Sequence, residues 1–214
     1  MPDSSSKPEW LTAAPRAMHF SAEAELVIWD SLRIGTGRKT SGPSAGKSAL
    51  MVSTRLVLQR SAHGAGRLSV SGANERFEDL VAYFKSVVDA AAHHGVPLSG
   101  TAPTWVKPRI VADERAVLSS SSVRDCAGTR AIFESLASGR RGALITDATE
   151  DGETEIHRDG DDIYFGERDW DGENEVVLFR VEHRLVEAAA HNAADSLDRL
   201  RSRLAAELGV DPFG

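Results

Sequence analysis

The sequence predicts an α+β fold in which antiparallel sheet meanders are each followed by a covering helix. Three observations support this: strand-length segments with a two-residue apolar period, Asp-Gly pairs between such segments, and two longer segments with helical three-four apolar spacing. Strands and a helix follow in the same order in both halves, which is compatible with a duplicated βββα module. A single antiparallel sheet with both helices on one face, and a helix-grip fold, remain open as alternatives.

Residues 25–34 and 50–60 are the first predicted strands. In each segment apolar side chains alternate with polar ones, as in a half-buried strand, and the two strands are expected to pair. Residues 35–47 between them are rich in glycine and serine and predict an open loop. Residues 1–20 show no sustained period, so we expect a flexible tail there, with Trp10 and Leu11 held at the surface.

A short strand at residues 67–71 precedes the first predicted helix. Asn74 is the predicted N-cap, and the helix is expected to end near His93. The apolar face has helical spacing and consists of Phe77, Leu80, Val81, Phe84, Val87, Val88 and Ala91. Residues 96–121 are predicted to form an extended connection that bounds an N-terminal βββα unit, residues 21–110.

The C-terminal unit, residues 111–214, is predicted to contain a helix, a meander and a closing helix. The first helix covers about residues 122–138. From Ala143 four strand segments follow, with Asp-Gly pairs in the turns after the second and third. The closing helix spans roughly residues 185–208 and ends at Gly209. The two units form either separate domains or one continuous domain.

Composition limits the classes of protein that fit. The apolar fraction of 41% and the charged fraction of 27% are those of a globular chain. Cys126 is the only cysteine, which excludes an intramolecular disulfide and multi-cysteine metal sites and fits a reducing compartment. The start lacks the apolar core of a signal peptide, and no apolar run has the length of a membrane span. We therefore expect a cytoplasmic protein with no membrane partner.

The net charge of −7 is unevenly distributed. Residues 1–110 contain 13 Lys+Arg against 9 Asp+Glu, whereas residues 111–214 contain 12 against 23. Binding to nucleic acid draws most of its affinity from basic side chains that neutralise phosphates. The acidic second half therefore argues against a nucleic-acid partner.

The segment Ser41–Ser48 matches parts of three catalytic or phosphate-binding motifs. Lys47 is placed as in a phosphate loop, but the first glycine of that motif is replaced by Ser41. Ser44 fits both a nucleophile elbow and an S-x-x-K pair. All three motifs need a helix, and the residues that follow have the pattern of a strand. A flexible loop is the favoured interpretation, and a serine hydrolase using Ser44 is kept as an alternative.

Two patterns bear on metal binding. His183, Glu187 and His191 are spaced four residues apart, so on one helix they would form a stripe of possible ligands. A polar helix surface is the favoured interpretation of this stripe. An EF-hand loop needs a glutamate at its twelfth position, where the two candidate loops have Arg158 and Arg180. No metal and no cofactor is expected.

The strongest charge feature is an acidic meander. Residues 146–175 contain 13 acidic residues and two arginines. This pattern indicates either a solvated face or a negative patch that attracts a basic protein. Trp170 stands between two acids and is either an interface anchor or packed under its own turn. The predicted partner-binding residues lie at the two Asp-Gly turns: Asp159, Asp161, Asp162, Asp169, Trp170, Asp171 and Glu173.

Three hypotheses of function follow. The first is a non-catalytic binding or inhibitor protein whose acidic surface covers a basic protein partner; toxin-neutralising immunity proteins share this composition and class. The second is a dimeric secretion chaperone or scaffold. The third is the hydrolase using Ser44. The sequence favours the first, and therefore a protein that is not an enzyme.

Overall fold

The computed structural model describes residues 11, 14–29, 31–33, 49–51, 59–60, 65–93, 104–116, 125–148, 152–169 and 175–213. In these ranges the chain has the predicted α+β character, with antiparallel sheets and four helices. The loop at residues 35–47, with Ser44, lies outside the described residues, and so do Trp170, Asp171 and Glu173. None of the described helices has both the length and the apolarity that a bilayer crossing needs.

Groups of strands and single or paired helices follow one another along the described part of the chain. The strands are β1 (Phe20–Trp29), β2 (Ser31–Arg33), β3 (Ala49–Met51), β4 (Gln59–Arg60), β5 (Ala65–Ser69), β6 (Thr104–Ala112), β7 (Arg115–Ala116), β8 (Gly142–Ala148), β9 (Gly152–Asp159), β10 (Asp162–Asp169) and β11 (Glu175–Glu182). The helices are α1 (Val70–Glu75), α2 (Phe77–His93), α3 (Cys126–Ala137) and α4 (His183–Leu208).

Contacts between residues divide the chain into two compact units. One consists of Met1–Ala24 and Lys107–Asp195, and the other of Glu25–Val106 and Ser196–Gly214. The division therefore falls within β1, β6 and α4. The sequence predicts a different boundary, near residue 110, between two units that would fold independently. That boundary stays a prediction.

The first unit contains the predicted meander. Its four strands form an antiparallel sheet in the order β11-β10-β9-β8. Asp159 pairs with Asp162, so the turn between β9 and β10 has two central residues, Gly160 and Asp161. Gly160 has a φ of +61°, and glycine with positive φ at the first central position is typical of a type II′ turn. The Asp-Gly signal thus located the first hairpin correctly.

One face of this sheet forms the core of the unit. Its side chains are buried at alternate positions of the paired strands: Ile156, Ile163, Phe165, Phe179 and Val181. The rings of Phe165 and Phe179 lie 4.8 Å apart, and the ring of Phe20 lies 5.7 Å from Phe165. Burial of such side chains is the main favourable contribution to folding, so the two-residue apolar period determines which face of the sheet is inside.

β6 corrects the predicted extended connection. Residues 104–112 form a strand beside β1 in the five-stranded sheet β4-β5-β1-β6-β7. Every second residue of β6 is buried: Val106, Pro108, Ile110 and Ala112. Because proline lacks the N–H that a strand donates to its neighbour, the presence of Pro108 argues against a strand at the level of sequence. β7 pairs only with Val111 and Ala112, so Pro108 is not required to donate to it.

The first helical region also differs from the prediction. It begins at α1, where the Ser69 hydroxyl caps the helix by accepting from the Gly72 N–H at 3.1 Å. Asn74 is therefore not the N-cap; it lies inside α1 and donates from Nδ2 to the Val70 carbonyl at 3.0 Å. The buried face of α2 consists of Leu80, Val81, Tyr83, Phe84, Val87 and Ala91. Five of these were predicted, whereas the predicted members Phe77 and Val88 are half-buried.

α3 and α4 match their predicted positions closely. Asp125 caps α3 by accepting from the Gly128 N–H, and Cys126 is buried in its first turn, as expected for a small core residue. Gly209 ends α4 with a φ of +68°, a left-handed conformation that glycine adopts without steric cost. The buried residues of α4 form one stripe: Val186, Ala190, Ala193, Ala194, Leu197, Leu200 and Leu204.

Candidate functional site

The acidic residues predicted to bind a partner separate to opposite ends of β10. Asp159, Asp161 and Asp162 lie at the β9–β10 turn, whereas Asp169 pairs with Gly152 at the far end. This agrees with the expectation that consecutive turns of a meander emerge at opposite ends of the strands. Only the cluster at the β9–β10 turn has described side chains, and we call it the acidic turn.

Asp162 is paired within the chain. Its side chain is only 13% exposed, Oδ1 accepts from Arg16 Nη2 at 2.7 Å, and Oδ2 lies 3.4 Å from Arg180 Nη1. Arginine donates to carboxylates in short, charge-assisted hydrogen bonds, and these offset the cost of removing the carboxylate from water. The Asp162 carboxylate is thus an acceptor for arginine side chains, and Arg16 is the arginine at the shorter distance.

Asp161 has a different environment. Its side chain is exposed, and its carboxylate has no hydrogen-bonded or ion-paired partner among the described residues. Its backbone carbonyl accepts from the His183 N–H at 2.7 Å, which holds the acidic turn at the start of α4. Asp159 is half-buried at the end of β9. Asp161 is therefore the residue of the acidic turn that presents an unpaired charge to solvent.

The segment that brings Arg16 to Asp162 lies within the predicted flexible tail. Arg16 forms a parallel bridge with Arg180 of β11. The Arg180 N–H donates to the Pro15 carbonyl at 2.8 Å, and the Ala17 N–H donates to the Arg180 carbonyl at 2.9 Å. The backbone at residues 15–17 is thus hydrogen-bonded to the outer edge of β11.

Apolar contacts accompany these hydrogen bonds. Leu11, Ala14 and Tyr164 form a buried cluster, in which Leu11 is 2% exposed. Tyr164 pairs with Arg180 in the sheet, so it lies on the same face as that arginine and opposite to the core face. The expectation that Leu11 is held to the protein is confirmed. The role of Arg16 could not be predicted, because nothing in the neighbouring sequence distinguishes it from other arginines.

Among the described residues, two polar atoms near this face are buried without a hydrogen-bond partner, Arg180 Nε and His157 Nδ1. Tyr164 lies between these residues, because it pairs with Arg180 on one side and with His157 on the other. The Glu155 carboxylate lies 3.9 Å from His157 Nδ1. Buried polar atoms without partners cost free energy, so the outer face of the meander is not fully satisfied by its own contacts.

The histidine stripe on α4 contributes to structure. His183 Nε2 lies 3.2 Å from the carbonyl oxygen of Ser138 at the end of α3, and Nδ1 lies 3.8 Å from the Glu187 carboxylate. Arg158 also donates to the Ser138 carbonyl, at 3.2 Å. Donors at a helix C-terminus satisfy carbonyls that have no helical partner. Among the described residues, no group of three or more histidine, cysteine or acidic side chains could hold a metal ion.

A separate cavity of about 390 Å³ lies where α1 meets α2. The Arg203 guanidinium lies 3.8 Å from the centre of the Phe77 ring and donates to Asn74 Oδ1 at 2.8 Å. The lining contains three acids and two arginines among Asn74, Glu75, Arg76, Phe77, Glu78, Asp79 and Arg203. This mixed charge does not define one kind of ligand.

Comparisons with protein-family models, with curated proteins and with solved structures find no match for this chain. The described residues form an α+β fold with antiparallel sheets. At one end of the sheet β11-β10-β9-β8, the Asp162 carboxylate accepts a hydrogen bond from an arginine.

Proposed function

We propose that this protein is a non-catalytic protein-binding module whose acidic meander contacts a basic segment of a protein partner. The supporting observation is the arrangement at Asp162. There a carboxylate that is only 13% exposed accepts an arginine from an extended segment. In its narrower form the proposal is an inhibitor that covers a basic surface of the partner.

The charges around the site support the same proposal. Residues 111–214 carry a large excess of acids, and Asp161 presents an unpaired carboxylate at the acidic turn. Charges of one sign on a surface accelerate the encounter with a partner of opposite sign and select against partners of the same sign. Such steering is screened beyond a Debye length of roughly 8 Å at physiological ionic strength. Association with the partner should therefore slow steeply as salt rises.

The experiment compares one charge reversal at the acidic turn with a matched reversal elsewhere. Asp161→Lys removes the exposed charge of the turn, and Glu207→Lys reverses an exposed acid near the end of α4. Tagged wild-type protein and both variants are cross-linked in a lysate of the source organism. Each captured protein is then purified, and its association rate is measured at low and high salt.

A basic partner should be captured by the wild type and by Glu207→Lys, with about tenfold slower association to Asp161→Lys at low salt. The difference between the variants should disappear at high salt. A purified partner whose association rate is the same for all three proteins and indifferent to salt would contradict the proposal. Circular dichroism checks that both variants keep the fold.

A further inference from the structure

The N-terminal segment makes main-chain and side-chain contacts of the kinds that an extended peptide makes when it joins a sheet edge. Pro15 and Ala17 exchange backbone hydrogen bonds with Arg180 at the edge of β11. Arg16 supplies a charged anchor for Asp162. Leu11 and Ala14 supply an apolar anchor on Tyr164. In strand addition to a sheet edge, main-chain hydrogen bonds provide affinity and side-chain sites provide specificity.

We infer that the edge of β11, with Asp162 and Tyr164, is a binding site for an extended arginine-containing segment of a partner, and that residues 11 and 14–17 occupy it in cis as a displaceable competitor. This inference rests on the proposed function and specifies both the site and the chemistry of its ligand. The ligand has an arginine that reaches Asp162, an apolar residue before it that reaches Tyr164, and an extended backbone that pairs with Arg180.

The polar contacts of the cis segment contribute little to stability, which favours exchange with an external segment. The Arg16 side chain is 50% exposed, and half-exposed ion pairs contribute little to stability. Pro15 has no N–H, so this residue can only accept a hydrogen bond from β11. Within the described residues, the bridge between Arg16 and Arg180 is the only strand pairing of this segment with β11.

The site is also incompletely satisfied by its present occupant. In the described part of the chain Arg180 Nε is buried without a hydrogen-bond partner, and Arg180 Nη1 lies at the long distance of 3.4 Å from Asp162 Oδ2. A partner segment that offers a carbonyl or carboxylate oxygen near Arg180 would satisfy this group, which the cis segment leaves without a partner. The free energy thus gained favours a partner over the segment of the chain itself.

Covalent attachment gives the cis segment an effective concentration in the millimolar range. A site that is free about a tenth of the time binds an external ligand with an apparent Kd raised about tenfold. Loosening the cis segment should therefore tighten external binding by a similar factor. The quantity to measure is the ratio of the Kd of an external ligand for the wild type to its Kd for a variant with a loosened cis segment.

The probe is a fluorescein-labelled synthetic peptide that copies residues 11–19, titrated with full-length protein by fluorescence anisotropy. Two variants loosen the cis segment: Arg16→Ala removes the anchor for Asp162, and Ala17→Pro removes the N–H that donates to Arg180. The matched control is Arg109→Ala. It removes an arginine that is 49% exposed and bonds Glu23 at 2.6 Å, outside the site.

Arg16→Ala and Ala17→Pro should each bind the peptide about tenfold more tightly than the wild type and Arg109→Ala. A peptide with alanine in place of its arginine should lose this gain, and Asp162→Asn added to Arg16→Ala should lose it too. Equal affinity of the peptide for all proteins, or no binding to any of them, would overturn the inference. Arg16→Ala keeps the test valid if Ala17→Pro does not fold.

The two proposals fail in different ways. A partner that responds to Asp161→Lys and to salt, but binds wild type and Arg16→Ala equally, would contradict the cis competitor and leave the acidic binding surface intact. Peptide binding that is strengthened by Arg16→Ala, together with a partner indifferent to Asp161→Lys, would contradict the acidic surface and leave the cis competitor intact.

Discussion

The carboxylate of Asp113 accepts a hydrogen bond from the His19 N–H at 2.9 Å, and the Met18 N–H lies 3.1 Å from the same oxygen. The Asp113 N–H in turn donates to the His19 carbonyl at 3.1 Å. Asp113 and Glu114 have φ values of +43° and +69°, the two positive values of a type I′ turn between β6 and β7. This turn therefore fixes the residues that lead into β1.

Asp113→Ala should lower the free energy of unfolding by about 1 to 2 kcal/mol, because two backbone N–H groups lose their acceptor and alanine tolerates positive φ poorly. Asp113→Asn should cost less, since asparagine keeps an acceptor oxygen and adopts this conformation more readily. Urea denaturation measures both. Equal stability of the two variants would mean that the carboxylate does not hold residues 18 and 19.

Backbone conformation at two turns gives a pair of opposite expectations. Gly160→Ala should destabilise by about 1 kcal/mol, because φ is +61° while no atom lies within 4 Å of the added methyl group. The cost is therefore conformational and not steric. Glu114→Gly should stabilise by up to about 0.5 kcal/mol, since glycine removes the strain at +69° but adds chain entropy to the unfolded state. Thermal melts that show the same sign for both changes would contradict this account.

The core of the second unit gives a further prediction. Phe84 is 1% exposed and Leu200 is 0% exposed, in the middle of their buried stripes on α2 and α4. Truncation of either residue to alanine should lower the free energy of unfolding by about 2 to 5 kcal/mol, through lost burial and a residual cavity. Denaturant titration measures the change, and a loss below about 1 kcal/mol would argue against these faces being the core.

Local patterns accounted for the parts of the fold whose signals are local. The meander was predictable because Gly160 marks a two-residue turn and strand alternation on either side sets the buried face. The buried stripe of α4 was predictable because its apolar residues recur at helical three-four spacing, and Gly209 marked the end of the helix. The α+β class follows from these elements together.

Structural features that depend on residues distant in the sequence could not be predicted. Pro108 concealed β6, because its tolerance depends on β7 being too short to require its N–H. The ordering of residues 14–17 depends on Arg180, and the pairing of Arg16 with Asp162 joins residues 146 positions apart. The acidic residues of the candidate site could therefore be predicted from the sequence. The pairing of Arg16 with one of them, Asp162, could not.

The C-terminal segment contains a pH-dependent contact. Burial raises the pKa of Asp211, but hydrogen bonds from Arg201 and the Phe213 N–H and the charge of Arg201 outweigh it, so the pKa lies below its usual value of 3.8. A carboxyl whose pKa is lower in the folded state stabilises fully above its unfolded pKa and loses this contribution as pH falls through the folded pKa.

Asp211→Asn should therefore destabilise at pH 7, and the difference from the wild type should shrink as the pH falls through the lowered folded pKa of Asp211, because the wild-type carboxyl then becomes protonated as well. Denaturant titrations between pH 2 and pH 7 measure the difference. Asp89→Asn, at an exposed position of α2, serves as the control for the loss of one charge. A difference between Asp211→Asn and the wild type that is constant across this range would contradict a role for the ionised carboxylate.

Neighbouring acids of the acidic turn should respond differently to charge reversal. Asp162 is 13% exposed and receives Arg16 and Arg180, so Asp162→Lys removes an acceptor and places a third cation beside two guanidinium groups. We expect a loss of about 1 to 3 kcal/mol in the free energy of unfolding, the cost of leaving charged groups without their partner. Asp161 is exposed, and Asp161→Lys should change stability by no more than about 0.5 kcal/mol. Urea denaturation in low and high salt measures both, and the loss at Asp162 should shrink only in part at high salt because that carboxylate is mostly buried. If the two reversals cost the same, Arg16 is not held by Asp162, and the β11 edge would have to bind its ligand without an arginine anchor.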